Sequence, residues 1–227
     1  MTSVPEAPHA SPPAARFSES RWPMALAVAT AIAMQFSLPN RHILSPTFLF
    51  PAVESLLLVA LLTRRGVSHT DPWSTARHRI IIGLVIVMSA DNLLAVVELV
   101  RDIINGSEGD NGTVLLATGA AIWWTNVVAF SLWFWMLDRG GPLARASGRT
   151  SPPSFLFTAM QTPAFAPADW EPYYLDYLYL AFTNATAFSP TDTMPLTRWA
   201  KTLMLVQATI SLVVALMIIA RAVGILK

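Results

Sequence analysis

Cysteine is absent from this chain of 227 residues, and charged residues are scarce. Without thiols the protein has no disulfide bonds, no thiolate metal sites and no cysteine nucleophile. Charged side chains make up 13% of the residues, whereas a soluble domain carries about 25%. Hydrophobic residues make up 54%. The composition therefore predicts that lipid, rather than water, surrounds most of the chain.

Strong net charge and catalytic motifs are lacking as well. The formal net charge is +1, so we expect no electrostatic attraction to nucleic acid. The histidines have no HExxH spacing, and the sequence contains no GxSxG, no Gly-rich phosphate loop and no paired acid and base. We therefore expect no enzyme activity, no cofactor and no metal site.

Long apolar runs are the main feature that the sequence does have. A helix that crosses the ~30 Å hydrocarbon layer needs ~20 mostly apolar residues. We predict an all-α, polytopic membrane bundle of about six spans, with five spans plus a re-entrant pore helix as the alternative. The predicted spans are residues 22–38, 44–63, 80–104, 113–137, 173–188 and 198–226.

The chain divides into four parts by composition. Residues 1–21 are rich in Pro, Ala and Ser without apolar periodicity, and we expect a disordered cytoplasmic tail. Residues 22–138 hold four spans and form a four-helix membrane bundle. Residues 139–169 form a cytoplasmic or interfacial loop, in which Pro163 and Pro167 break any helix. Residues 170–227 form a C-terminal module.

The basic residues predict an orientation, because Lys and Arg concentrate in cytoplasmic loops. Six spans with the N-terminus inside place eleven basic residues in the cytoplasm and four outside. The inner set is Arg16, Arg21, Arg64, Arg65, Arg77, Arg79, Arg139, Arg145, Arg149, Arg221 and Lys227, and the outer set is Arg41, Arg101, Arg198 and Lys201. We therefore predict a multi-pass protein of the plasma (inner) membrane with both termini cytoplasmic.

Three acidic residues, Glu54, Asp91 and Glu98, lie inside predicted spans. A charged side chain at the bilayer centre costs at least ~2.5 kcal/mol, so such residues are usually functional or paired. Asp91 and Glu98 are seven residues apart and share one helix face. One interpretation is a proton or cation path along the third span. The other is structural, with Glu98 paired to Arg101 three residues later.

The C-terminal module carries several motifs in a fixed order. Tyr177, Tyr179, Phe182 and Thr183 lie in an aromatic helix, and the D-x-x-P-L-T sequence at 192–197 precedes a long apolar helix. This order resembles the pore module of two-helix-type potassium channels, in which a YFxFxT pore helix and a TVGYGD filter lead to an xxPLTxxGR segment and the inner helix. The resemblance covers roughly fifty of the 227 residues. The module also resembles an uncharacterised group of bacterial integral membrane proteins with a D-[FY]-L-Y-x-[AS]-F…S-x-T-D C-terminus.

The filter itself departs from the potassium-channel pattern. Aligned through Asp192, its positions fall on Thr186, Ala187, Phe188, Ser189, Pro190 and Thr191. None of these is glycine, although the potassium filter needs glycines to point its carbonyls at the ion. We therefore expect no potassium selectivity. The residues expected to line an ion pathway are Thr183, Asn184, Thr186, Phe188, Ser189, Thr191 and Asp192.

Two functions from different classes remain open. One is an oligomeric ion channel or channel-derived transport protein that passes cations, and the resemblance implies a homo-oligomer, with a tetramer favoured. The other is a non-conducting membrane component that binds or assembles with a partner protein. A pore loop entered from outside after four spans would put the N-terminus outside and invert the arginine bias. The six-span arrangement is therefore the one we predict.

Overall fold

The computed structural model describes residues 20–37, 48–63, 72–106, 112–146, 151–167, 170–187 and 193–225. It confirms an all-α architecture with one small two-stranded sheet. Three helical segments are long and apolar enough to cross a membrane, namely Ala76–Asn105, Gly112–Gly140 and Arg198–Arg221. The protein therefore has the helices of a multi-pass membrane protein. The predicted tail, residues 1–21, lies outside the described residues except for its last two.

The elements follow one another along the chain with short connections. In order they are α1 (Trp22–Phe36), α2 (Leu49–Thr63), α3 (Pro72–Asn105), α4 (Gly112–Leu137), a 3-10 turn (Asp138–Gly140), α5 (Gly141–Ala146), β1 (Phe155–Phe157), α6 (Thr158–Gln161), α7 (Tyr174–Ala187), β2 (Thr193–Pro195) and α8 (Arg198–Ile225). α1 and α2 are apolar but shorter, with 15 residues each.

α4 is the centre of the bundle. It contacts α1, α3, α7 and α8. Its sequence is apolar on all sides, which is the pattern of a helix enclosed by others. The buried core continues from α4 into all of its neighbours, with Val28 of α1, Leu84 of α3 and Leu180 of α7 fully buried.

Contacts at both ends show that α1 and α2 form an antiparallel hairpin. At one end, Arg21 before α1 donates to the carbonyl of Leu61 near the end of α2, at 3.5 Å. Arg21 also interacts electrostatically with Arg77, near the start of α3. At the other end, the rings of Phe36 and Phe48 stack 6.3 Å apart. The start of α3 therefore lies beside the start of α1.

α3 and α4 are antiparallel as well. Trp133 Nε1 donates to Ser89 Oγ at 3.0 Å, and Asn92 Nδ2 donates to the carbonyl of Ile122 at 2.7 Å. Later residues of α3 thus meet earlier residues of α4. The start of α3 and the end of α4 consequently lie at the same end of the bundle. We call this the Asp138 end, after the residue that follows α4.

α8 starts at the Asp138 end and runs antiparallel to α4. Near its start, Trp199 packs edge-to-face on Phe155 at 5.7 Å, and Phe155 also packs on Phe134 of α4 at 5.1 Å. Near its far end, Ile218 lies so close to Gly119 of α4 that a Cβ atom there would collide with the isoleucine side chain. Glycine at position 119 therefore allows the two helices to approach closely.

α7 runs in the same direction as α8. Its first turns lie at the Asp138 end, where Tyr177 packs edge-to-face on Phe155 at 6.4 Å beside Trp199. Two turns later, Asn184 Nδ2 donates to the carbonyl of Met204 at 2.9 Å. Later residues of α7 thus meet later residues of α8, which shows that the two helices are parallel.

Ring contacts with α4 give the same direction for α7. Tyr174 packs on Trp135 at 5.8 Å, and Phe182 packs on Trp123 at 5.5 Å, so α7 is antiparallel to α4. Consecutive crossings of a membrane alternate in direction, but α7 and α8 do not. The prediction of a helix at 173–188 is confirmed, whereas its assignment as a separate span in a six-span bundle is wrong.

The two strands form an antiparallel sheet at the Asp138 end. Phe155 pairs with Pro195, and Phe157 pairs with Thr193. Phe155 and Phe157 are buried in the core. The predicted loop at 139–169 therefore inserts two aromatic rings into the bundle, and its strand β1 ties the chain before α7 to the chain after it.

Candidate functional site

A buried polar contact fixes α7 to α8. Asn184 Nδ2 donates to Gln207 Oε1 at 2.8 Å, in addition to its bond to the carbonyl of Met204. Gln207 Nε2 donates to the carbonyl of Ala181 at 2.8 Å. Asn184 is 3% exposed and Gln207 is fully buried. We call this pair, Asn184 and Gln207, the amide lock. The bond between the amides and their bonds to backbone carbonyls give both NH2 groups partners inside an apolar core, where an unsatisfied polar group would cost about 1–3 kcal/mol.

The amide lock extends to the central helix. Asn126 Nδ2 of α4 donates to the carbonyl of Gln207 at 3.2 Å and to Ser211 Oγ at 2.9 Å. All of these side chains are buried. One polar layer therefore holds α4, α7 and α8 together at the level where α7 approaches its end.

The other described pathway candidates lie next to the amide lock on α7. Thr183 is half-buried and its hydroxyl donates to the carbonyl of Tyr179 at 3.0 Å. Thr186 is exposed and its hydroxyl donates to the carbonyl of Phe182 at 3.0 Å. Both oxygens keep lone pairs that can accept further bonds. The remaining candidates, Phe188, Ser189, Thr191 and Asp192, lie outside the described residues.

A second polar cluster lies at the Asp138 end and was missed by sequence reasoning. Asp138 is fully buried. Its Oδ2 accepts the Tyr177 hydroxyl at 2.6 Å, and its Oδ1 accepts the backbone N–H of Ser154 at 2.7 Å. Arg139 Nε lies 3.7 Å from Oδ2. One carboxylate therefore joins the end of α4, the start of β1 and the first turn of α7.

Arg145 completes this cluster. Its Nη1 donates to the carbonyls of Trp135 and Asp138 at 3.0 and 2.9 Å, which satisfies acceptors that the end of α4 leaves open. The guanidinium lies 5.4 Å from the centre of the Tyr177 ring and 6.0 Å from that of Trp135. These distances are those of cation–π contacts. The base of α7 is thus held by hydrogen bonds, charge and ring packing.

A tight corner brings Arg145 back over α4. Arg139, Gly140 and Gly141 have positive φ values of 50°, 78° and 88°. A Cβ atom on Gly141 would lie 2.7 Å from the carbonyl oxygen of Met136. The Gly-Gly pair is the sequence signal for this corner. Nothing in the sequence pairs Asp138 with Tyr177, because the contact spans 39 positions.

The three acidic candidates in the bundle are all buried. Glu54 and Asp91 are fully buried, and Glu98 is 6% exposed. Glu54 lies on α2, and the other two lie on α3. Asn92, next to Asp91, bonds to α4. These carboxylates are therefore interior groups of the α1–α4 bundle, on helices separate from the amide lock.

Among the described residues, no group of three or more His, Asp or Glu side chains is placed to hold a metal ion.

The described residues thus form two polar anchors on one short helix. The Asp138 cluster holds the first turns of α7, and the amide lock holds its last turns. Both contain side chains that donate to backbone carbonyls or accept from backbone N–H groups. No protein-family model, no curated protein and no solved structure matches the chain.

Proposed function

We propose that the protein is an oligomeric ion channel or channel-derived transport protein in which α7 is a re-entrant pore helix. In this arrangement α1, α2, α3, α4 and α8 cross the membrane, and α7 enters and returns. The support comes from the directions of the helices, since α7 and α8 leave the same end side by side. The C-terminal resemblance to the potassium-channel pore module has this same order of helices.

One observation carries the proposal, namely the depth at which α7 stops. Beyond Gln207, α8 continues for about 21 Å to Arg221, at ~1.5 Å per residue. Beyond Asn184, α7 continues for only about 5 Å, to Ala187. The last carbonyls of a helix have no partner within it. Backbone with unpartnered carbonyls is tolerated at membrane depth only inside protein or beside a water-filled cavity.

A second copy of the chain is the proposed cover for this helix end. α7 exposes a continuous stripe of side chains, and α8 exposes another. These are Leu175, Tyr179, Phe182 and Thr186 on α7, and Leu205, Thr209, Leu212, Leu216 and Ile219 on α8. Symmetric copies arranged around an axis beside these stripes would enclose the end of α7. A tetramer is favoured by the resemblance to potassium channels.

The pathway would be lined by hydroxyls and by one carboxylate. Thr183 and Thr186 offer oxygens on α7, and Ser189, Thr191 and Asp192 follow in the sequence. A ring of acidic side chains favours cations. Without glycine at 186–191, selection of potassium by backbone carbonyls is not part of the proposal.

Reversal potentials in planar bilayers test this function. We expect a cation current that discriminates weakly between potassium and sodium and is abolished by Asp192→Asn. Glu171→Gln is the matched control, because Glu171 lies before α7 and outside the proposed pathway, and its current should be unchanged. A strongly potassium-selective current would refute the proposed lining.

The second candidate is the non-conducting membrane component that assembles with a partner protein. The feature that favours it is the amide lock, which uses the Asn184 side chain for packing rather than for a pathway. Absence of current from a reconstituted oligomer would support this candidate over the channel.

A further inference from the structure

The end of the bundle at which α7 enters is also its most basic end. Of the described basic residues, seven lie towards the Asp138 end and two lie towards the opposite end. The seven are Arg21, Arg77, Arg79, Arg139, Arg145, Arg198 and Lys201. The two are Arg101, near the end of α3, and Arg221, near the end of α8.

Arg198 and Lys201 lie at the Asp138 end because α7 and α8 run in the same direction and both start there. In the predicted six-span arrangement these two residues belonged to the outer side, and Arg221 belonged to the cytoplasmic side. In the structure α8 starts beside Phe155 and Tyr177, so its first turn joins the side of Arg21 and Arg145. In the re-entrant arrangement, most of the described basic residues therefore lie on one side of the membrane.

We infer that the Asp138 end faces the cytoplasm, so that the mouth of the proposed pathway, the surface around the exposed Met194 and Arg198 where α7 enters, opens to the cytosol. The inference rests on the re-entrant α7 of the proposed function. Basic residues in short loops and near helix ends are retained on the cytoplasmic side. Solutes from the cytosol then meet the mouth first and reach the end of α7 from there.

This orientation is opposite to that of the family which the C-terminal module resembles, where the pore loop is entered from outside. The outer orientation would require most of the described arginines to be translocated across the membrane, against the rule that sets topology. It would also place the buried Asp138 cluster on the external face. The basic residues just before α1 and at the starts of α3 and α8 favour the cytoplasmic mouth.

Single-cysteine labelling tests the orientation directly, because the natural chain has no cysteine. Ser20→Cys and Ser151→Cys report the Asp138 end, Met194→Cys reports the mouth, and Ser37→Cys reports the opposite end. All four side chains are exposed. A membrane-impermeant maleimide is applied to intact cells and to permeabilised cells, and labelling in detergent shows that each thiol is reactive.

We expect Ser37→Cys to be labelled in intact cells, and the other three to be labelled only after permeabilisation. The reverse pattern would overturn the cytoplasmic mouth while leaving the re-entrant helix intact. A reporter fused after Lys227 separates the two ideas. Five crossings place the reporter on the side opposite to Ser20, whereas a reporter on the same side would overturn the re-entrant helix and, with it, the cytoplasmic mouth.

Discussion

Asp138 links three parts of the chain through a single side chain. Its carboxylate accepts the Tyr177 hydroxyl and the Ser154 N–H, and its backbone carbonyl accepts Arg145. Hydrogen bonds to a charged group contribute about 1.5–3 kcal/mol, more than those between neutral groups. We therefore regard Asp138 as the residue that sets where α7 enters the bundle.

Replacement of Tyr177 by phenylalanine tests this role at the residue scale. Tyr177→Phe removes a donor from a fully buried carboxylate, and we expect the free energy of unfolding in detergent to fall by about 1.5–3 kcal/mol. Tyr174→Phe is the matched control on the same helix. It removes a bond between two hydroxyls, to Ser131 at 2.8 Å, and should cost about 0.5–1.5 kcal/mol. Equal losses for the two variants would contradict the role of Asp138.

Element boundaries could be predicted from the sequence far better than element directions. Apolar length predicted the helices at 113–137 and 198–226, and the structure has Gly112–Leu137 and Arg198–Ile225. Hydropathy carries no information on direction, however, so α7 was assigned as a crossing. Its direction depends on contacts such as Asn184 with Gln207 and Tyr177 with Asp138, and no local pattern encodes these.

The difference between local patterns and tertiary contacts also explains which site residues the sequence could identify. Thr183, Asn184 and Thr186 stood out because polar residues are rare in apolar surroundings. Asp138 did not, because an acidic residue at the end of a predicted span resembles an ordinary loop residue until its partners are known. Local composition identifies unusual residues inside a membrane segment, whereas anchors at the ends of segments depend on tertiary contacts.

The corner after α4 is an element-scale feature that can be tested by adding one methyl group. Gly141 has φ of 88°, and a Cβ atom would lie 2.7 Å from the Met136 carbonyl oxygen. We expect Gly141→Ala to lower the free energy of unfolding by about 1–3 kcal/mol, because both the backbone and the contact are strained. Gly83→Ala in α3 is the control, since its Cβ atom meets nothing within 4 Å. Loss of stability for Gly83→Ala alone would show that the corner is not constrained.

At the scale of the whole molecule, the proposed oligomer predicts which surfaces of two copies meet. Thr186 is exposed at the end of α7, and the axis is proposed to lie beside it. We expect Thr186→Cys to give cross-linked dimers with a bifunctional maleimide, because the one thiol of each copy can be joined to only one other copy. Val59→Cys is the control, because Val59 is 57% exposed on α2, which packs on α1 and α3. Cross-linking through Val59→Cys and not through Thr186→Cys would place the interface on the other side of the bundle.

The pairing of β1 with β2 also has a consequence for the order of assembly during translation. The ribosome makes β1 before α7 and β2 after it, so the sheet closes only when Thr193–Pro195 has been synthesised. The amide lock likewise waits for Gln207 of α8. A nascent chain that has just completed α7 has neither the sheet nor the amide lock, and lipid offers no substitute for the missing polar partners. α7 is therefore seated after α8 has begun to insert, although α8 is the later helix in the sequence.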